Sequence, residues 1–334
     1  MIDQKNLDAI LDATERRRAE RRRFLQLAGG ASVAAGGLAL LSACGGNDDD
    51  DTPSPTPSPT PTPTGTSTTN PDGDLLNFLL QFEYLQAQYY SFAATGVGLP
   101  DTLLSGTGTL GAVTGGALVP FADPLVAACA RELAADERAH VAYLRAQLAA
   151  VAVAQPAINI SGAADGPFTT LMRNAGVIGA GAVFNPYAND NSFLLGAYVF
   201  ADVAVSAYKG GVPLIVSPTI ASAAAGILGA EGYHAGLIRT LLYTRGSDPA
   251  TGLRDAANKI SDERDRLDGT TDIDQGITQA DGAANIVPAD GNGIAYSRSA
   301  AQVLNILYLN KASVNSGGFF PAGLNGNLKT SAAS

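Results

Sequence analysis

Histidine is nearly absent from this chain: His140 and His234 are the only two in 334 residues. Cysteine is as scarce. Cys44 and Cys129 cannot build a disulfide scaffold or a cysteine-based zinc site. Glutamate occurs seven times, so the placement of each one carries information. Positive charge is the minority sign, with 21 Lys and Arg against 31 Asp and Glu and a net charge of −10. Nucleic-acid binding therefore has no electrostatic footprint. Charged residues make up only 16% and hydrophobic ones 46%, which excludes a chain disordered throughout and supports a sizeable core. The apolar stretch from Leu27 to Ala43 is too short and too rich in glycine for a membrane-spanning helix.

What precedes that stretch is basic. Arg21-Arg22-Arg23-Phe24-Leu25-Gln26 leads into it, and the order of a basic region, an apolar region and small residues is that of an export signal. The arginines followed by Phe-Leu resemble a twin-arginine signal, with Gln26 where lysine is more usual. Leu41-Ser42-Ala43-Cys44 resembles a bacterial lipobox, which implies a lipidated Cys44 at the start of the mature chain. By the same resemblance Gly45, in place of an aspartate, favours the outer membrane of a two-membrane bacterium. Loss of residues 1–43 removes seven basic and five acidic residues and leaves 14 against 26, a net charge of −12. Residues 44–73 then read as a lipid-attached tether: Asp48 to Asp51, a Thr/Ser/Pro alternation through Thr64, and a polar tail. At ~3.1 Å per residue, twenty such residues span up to ~60 Å.

From Asp74 onward the signals are helical. A first helix runs from the apolar residues after Asp74 to about Ala94, closed by Gly96. Asp123-Pro124 is an N-cap with proline at the first helical position and opens a second helix to about Val151. A third begins at Asp190 or Asn191 and stops at Gly210-Gly211. Ser217-Pro218 opens a fourth that ends near Gly246. Amphipathic pieces follow at about Thr251–Leu267 and Arg298–Leu309. Long Gly/Ala-rich connections at 97–122 and 152–189 complete the pattern of an all-α four-helix bundle over 74–246, with long crossover loops and a helical C-terminal extension over 247–334.

Both histidines sit in the same motif, Glu137-Arg138-Ala139-His140 and Glu231-Gly232-Tyr233-His234. Residues three apart share a helix face, so each pair converges on one point. Two histidines both finding glutamate at −3 by chance has a probability of order 10⁻³ or less. Carboxylate plus imidazole on facing helices is the donor set of dinuclear iron and manganese sites. Glu83 adds to it, standing with Leu76, Leu79, Gln86 and Tyr90 on the inward stripe of the first helix, where an unpaired carboxylate is expensive. Aligning Phe82 with Phe200 also aligns Tyr90 with Tyr208, and the two Glu–His helices align with each other. The chain thus reads as a duplicated helix pair.

Helices one to four resemble the ferritin-like superfamily, and more narrowly its desiccation-related branch. The segment Ser297 to Leu304 and the ending Gly317-Gly318-Phe319-Phe320-Pro321 through Gly323-Leu324-Asn325-Gly326 are similar to that branch's C-terminal hallmarks. The resemblance implies metal ligation by Glu83, Glu137, His140, Glu231 and His234, with iron or manganese as cofactor. It also exposes a gap, because the superfamily's usual helix-three carboxylate is replaced by Ala201. Asp202 is the neighbouring candidate, although one residue is about 100° around a helix. Two divalent ions bring +4 against −3 from three glutamates; hydroxide, Asp202 after a local twist, or occupancy by a single ion are the available remedies. Tyr90, Tyr208 and Gln86 are expected to surround the ligands, the tyrosines either as core aromatics or as partners that orient carboxylates. Cys129 reads as a small core residue. The function expected is an exported, envelope-anchored metal protein handling dioxygen or peroxide in stress protection. The alternative is a non-catalytic structural or desiccation-stress protein with a degenerate site, and cage-type iron storage fits least. Expected partners are the membrane, through the lipid anchor, the twin-arginine export machinery and a second copy of the chain.

Overall fold

A computed structural model describes residues 70–334. The expected export signal, the Cys44 lipidation site and the tether up to residue 69 lie outside the described residues. Seven helices dominate what is described. They are α1 (Pro71–Thr95), α2 (Pro124–Leu148), α3 (Pro167–Asn174), α4 (Asp190–Gly211), α5 (Pro218–Arg245), α6 (Leu253–Asp268) and α7 (Ala300–Tyr308).

The helix starts follow from capping chemistry. Asn70, Asp123, Asn189 and Ser217 each accept a hydrogen bond from an orphan N–H of the first turn, and proline follows the cap in α1, α2 and α5. Two caps sit earlier than the sequence signals: Asn70-Pro71 opens α1 ahead of Asp74, and Asn189 opens α4 ahead of Asp190. In α1 the aspartates at 72 and 74 instead occupy the first turn, where they favour the positive end of the helix dipole. Gly96 ends α1 at φ 78°, a left-handed conformation that costs glycine little.

α1, α2, α4 and α5 form the bundle. Contacts between Asn77 and Val153 and between Tyr84 and Arg145 make α1 and α2 antiparallel. Contacts of Asp202 with Arg239 and of Asn191 with Arg245 do the same for α4 and α5. The central pair is α1 and α4: α1 buries 18 of its 25 residues and α4 buries 17 of 22, against 9 of 25 in α2 and 8 of 28 in α5. A helix apolar on every side must be covered on every side. Here the bundle covers one side, and the long connections and the C-terminal extension cover the other.

Those connections are more structured than an all-helical reading expects. Each contributes a three-residue strand, β1 (Val113–Gly115) and β2 (Ile158–Ile160), paired in parallel with Val113 opposite Ile158. The second connection also contains α3. Strands of three residues are too short for periodicity to announce them.

The C-terminal extension packs onto the helices. Phe319 is fully buried, with its ring centroid 5.0 Å from that of Phe168 and 4.9 Å from that of Phe200. Asn325 exchanges two hydrogen bonds with the Gln81 side chain on α1 and reaches Thr109 and Ala154 through its own amide. Against α4 the approach is close enough to demand glycine, because a Cβ on Gly210 would lie 2.0 Å from the Arg298 carbonyl oxygen. Arg298 itself enters a buried ionic cluster. Arg239 and Arg264 hold Asp202 at 2.7 and 2.9 Å, Arg264 and Arg298 hold Asp274 at 2.7 and 2.8 Å, and Arg298 also holds Asp268. Three arginines face three aspartates, so the cluster is formally neutral, and it joins α4, α5, α6 and the extension.

Candidate metal centre

Three of the four bundle helices deliver the Glu and His residues to one point. Glu83 comes from α1, Glu137 and His140 from α2, and Glu231 and His234 from α5; all three glutamates are 0% exposed. His140 Nδ1 lies 3.3 Å from Glu83, 3.4 Å from Glu231 and 3.8 Å from Glu137. His234 Nδ1 lies 3.4 Å from Glu137 and 3.8 Å from Glu231. Each imidazole is thus closer to the glutamate of the other motif than to its own. Glu137 and Glu231 stand between two rings whose centroids are 6.0 Å apart.

These separations exceed the roughly 2.7–2.9 Å of a charge-assisted hydrogen bond. Among the described residues, seven buried atoms here have no hydrogen-bond partner: Glu83 Oε2, both carboxylate oxygens of Glu137 and of Glu231, and Nδ1 of both histidines. Buried polar atoms are ordinarily paired, because an orphan loses its hydration without compensation. One donor atom each from Glu83, Glu137, His140 and Glu231 lies within 4.8 Å of the others. An ion about 2.1 Å from each ligand holds its donors at most about 4.2 Å apart, so a small inward movement of these side chains would seat one. The donor set therefore fits a divalent cation.

Without a cation, protons take its place. Burial works against charge on His140, but the carboxylates of Glu83, Glu137 and Glu231 outweigh it and hold its pKa far above the usual imidazole range. His234 is pushed up to about 12, where Asp136, Glu137 and Glu231 overcome burial. Burial likewise opposes the ionised form of Glu137, yet contacts with both imidazoles and Glu83 bring it down to about 2. Glu83 goes the other way, raised chiefly by burial.

The surrounding residues are unequal on the two sides. Tyr208 donates a hydrogen bond to Glu83 Oε1, so its phenol orients that carboxylate. Tyr90 is buried near the cluster, its pKa raised by burial and then by Glu137 and Glu231. Gln86 is 1% exposed with neither amide atom bonded. Asp202 is not a replacement ligand: its Oδ2 is committed to Arg239 and Arg264. The 100° offset from Ala201 turns it toward α5, α6 and the extension. Cys129 is buried, and burial raises its thiol pKa. Sequence reasoning missed one contact, because Asp136 Oδ2 lies 3.3 Å from His234 Nε2. A proton on Nε2, held by Asp136, leaves the Nδ1 lone pair directed inward. The adjacency Asp136-Glu137 was visible, but its pairing with a histidine 98 positions away was not.

The sequence model of the ferritin-like domain matches residues 71–244, more than half of the chain and all four bundle helices. The chain belongs to the ferritin-like domain family. Among curated proteins this ferritin-like chain is 29% identical over 248 residues to the desiccation-related protein PCC13-62 of Craterostigma plantagineum, covering 70% of this chain and 76% of that one. It is 26% identical over 268 residues to the ferritin-like catalase Nec2 of Nesocodon mauritianus, covering 77% and 84%. No solved structure matches the chain.

Proposed function

We propose that this ferritin-like protein holds iron or manganese between α1, α2 and α5, and handles dioxygen or peroxide in stress protection at the cell envelope. The observation that carries the reading is the set of seven orphaned donor atoms buried at one point of the bundle. The relative named as a catalase supports the redox assignment, and the relative named as desiccation-related supports the stress assignment. The bound metal would supply the redox electrons. The chain's own part is to bind, orient and shield. Glu83, Glu137, His140, Glu231 and His234 offer ligands, Tyr208 orients Glu83, and Asp136 fixes the His234 tautomer. The apolar core of α1 and α4 excludes bulk water. The export motif and Cys44 support delivery through the twin-arginine route and lipid anchoring. That route carries folded proteins in the systems the signal resembles, so metal could be loaded before export.

Metal analysis of protein purified through its native export route tests the reading. Near-stoichiometric iron or manganese is expected, lost in the His140→Ala/His234→Ala double variant. Metal-free protein whose melting temperature does not move when iron or manganese is added would refute it, since a ligand of the native state must stabilise that state. The second reading, a non-catalytic stress protein with a degenerate site, is favoured by Ala201. Bound metal with no turnover of peroxide or dioxygen would select it. Replacing Arg21 and Arg22 with lysine should block export, and arrival of that variant at the envelope would refute the proposed address.

A further inference from the structure

The two histidine halves of the centre are not equivalent. His140 shares its half with Glu83, whose carboxylate Tyr208 orients, and these groups with Glu137 and Glu231 form the four-residue cluster within 4.8 Å. His234 stands outside that cluster, with only the Glu137 and Glu231 carboxylates near its Nδ1. The duplicated helix pair pairs Glu83 with Ala201 and Tyr208 with Tyr90. At the position that corresponds to the carboxylate met by Tyr208, the duplicate carries only the methyl group of Ala201. Ala201 is 1% exposed and Asp202 is bound by arginines, so α4 supplies no anionic group to that half.

We propose that the centre takes up two divalent ions unequally. One is held tightly by Glu83, Glu137, His140 and Glu231. The other, beside His234, is held weakly unless a small exogenous carboxylate anion stands in for the side-chain carboxylate that Ala201 lacks. The inference rests on the metal reading above. Charge supports it: two ions bring +4 and the three glutamates −3, and the surplus in a buried site is costly until a monoanion cancels it. Size supports it as well. Alanine in place of glutamate removes a carboxymethyl group, and formate or acetate is of that size and carries the same two oxygens. By the duplication, Tyr90 is the counterpart of the Tyr208 that donates to Glu83.

The test is a titration of metal-free, full-length protein with Mn²⁺ in carboxylate-free buffer, followed by calorimetry and electron paramagnetic resonance and repeated with formate. One tight equivalent with an isolated-ion spectrum is expected. A second equivalent should be at least about tenfold weaker, since an absent ligand costs no less than a lost supporting contact. Formate should tighten the second and bring out a spin-coupled spectrum. His234→Ala should remove only the second equivalent, whereas Glu83→Gln should weaken the first. Ala201→Glu should abolish the formate dependence; if that variant does not fold, the wild-type and His234→Ala titrations decide alone. Two equal equivalents without formate, or a second one indifferent to formate, would overturn the inference and leave the metal reading standing. No binding under any condition would overturn both.

Discussion

Two buried polar clusters lie within this bundle and its extension, and they are built on opposite plans. The cluster of Arg239, Arg264 and Arg298 with Asp202, Asp268 and Asp274 balances three positive charges with three negative ones, and most of its donors and acceptors pair within the protein. The cluster of Glu83, Glu137, His140, Glu231 and His234 leaves seven atoms unbonded. Burial of charge is therefore not what marks the site, because both clusters bury it. The mark is how much is left open: in the first cluster every charge meets an opposite one and three atoms (Asp202 Oδ1, Arg264 Nε and Asp268 Oδ1) stay unbonded, whereas the second leaves seven and needs something from outside. The first ties the extension to the bundle, and the second is free for chemistry.

That contrast breaks most visibly if an arginine is removed. Arg264→Leu leaves three buried aspartates facing two arginines, one charge uncompensated, and should cost about 3–5 kcal/mol in chemical denaturation. The metal content of the protein that still folds should be unchanged. The converse experiment is Glu137→Gln. It should weaken metal binding by more than about 100-fold, beyond what lost supporting contacts cost. The metal-free protein, read by its melting temperature, should lose less than Arg264→Leu does, the loss reflecting only the contacts of Glu137 with the two imidazoles. If that variant unfolds as Arg264→Leu does, the two clusters do not differ in the way described.

The protons that stand in for metal sharpen the comparison with pH. Binding an ion displaces protons from His140 and His234, so apparent affinity should rise with pH, by about tenfold per unit for each proton displaced. Calorimetry in buffers of different ionisation enthalpy counts those protons. The folded-state pKa of His234 is raised, so its contribution to metal-free stability is fully present below the unfolded value of about 6.5. That contribution is lost as pH climbs toward about 12. The metal-loaded protein should not show this alkaline loss. A smaller effect is expected from Asp136→Asn, about 10–100-fold in affinity at the His234 position with little change in stability. Smallest is Gln81→Ala, which gives up two hydrogen bonds to Asn325 at about 1 kcal/mol each and should loosen the C-terminal segment in hydrogen exchange without touching metal.

Much of this was legible residue by residue. Ser217-Pro218 and Asp123-Pro124 start helices where they stand, because capping is satisfied within four residues. The Glu-x-x-His spacing places each pair on one helical face for the same local reason. Two rare residue types repeating one spacing made the convergence readable before any packing was known. Asp202 shows where that kind of inference stops. Its sequence position offered it as a stand-in for the carboxylate absent at Ala201, and nothing local said that Arg239 and Arg264 would take it instead.

Composition, caps and three-residue spacing thus determined the helices and which side chains could face inward, since all of these act within one or two turns. Tertiary structure alone decided how the inward groups were shared out. It set Glu137 and Glu231 between both imidazoles, gave His234 to Asp136, sent Asp202 to the arginines, and folded residues 269–334 over α1 and α4 through Phe319 and Asn325. Those pairings join residues from tens to more than two hundred positions apart. The polar ones exist because the low-dielectric interior penalises an unpaired polar group and the packed helices leave it few partners within reach.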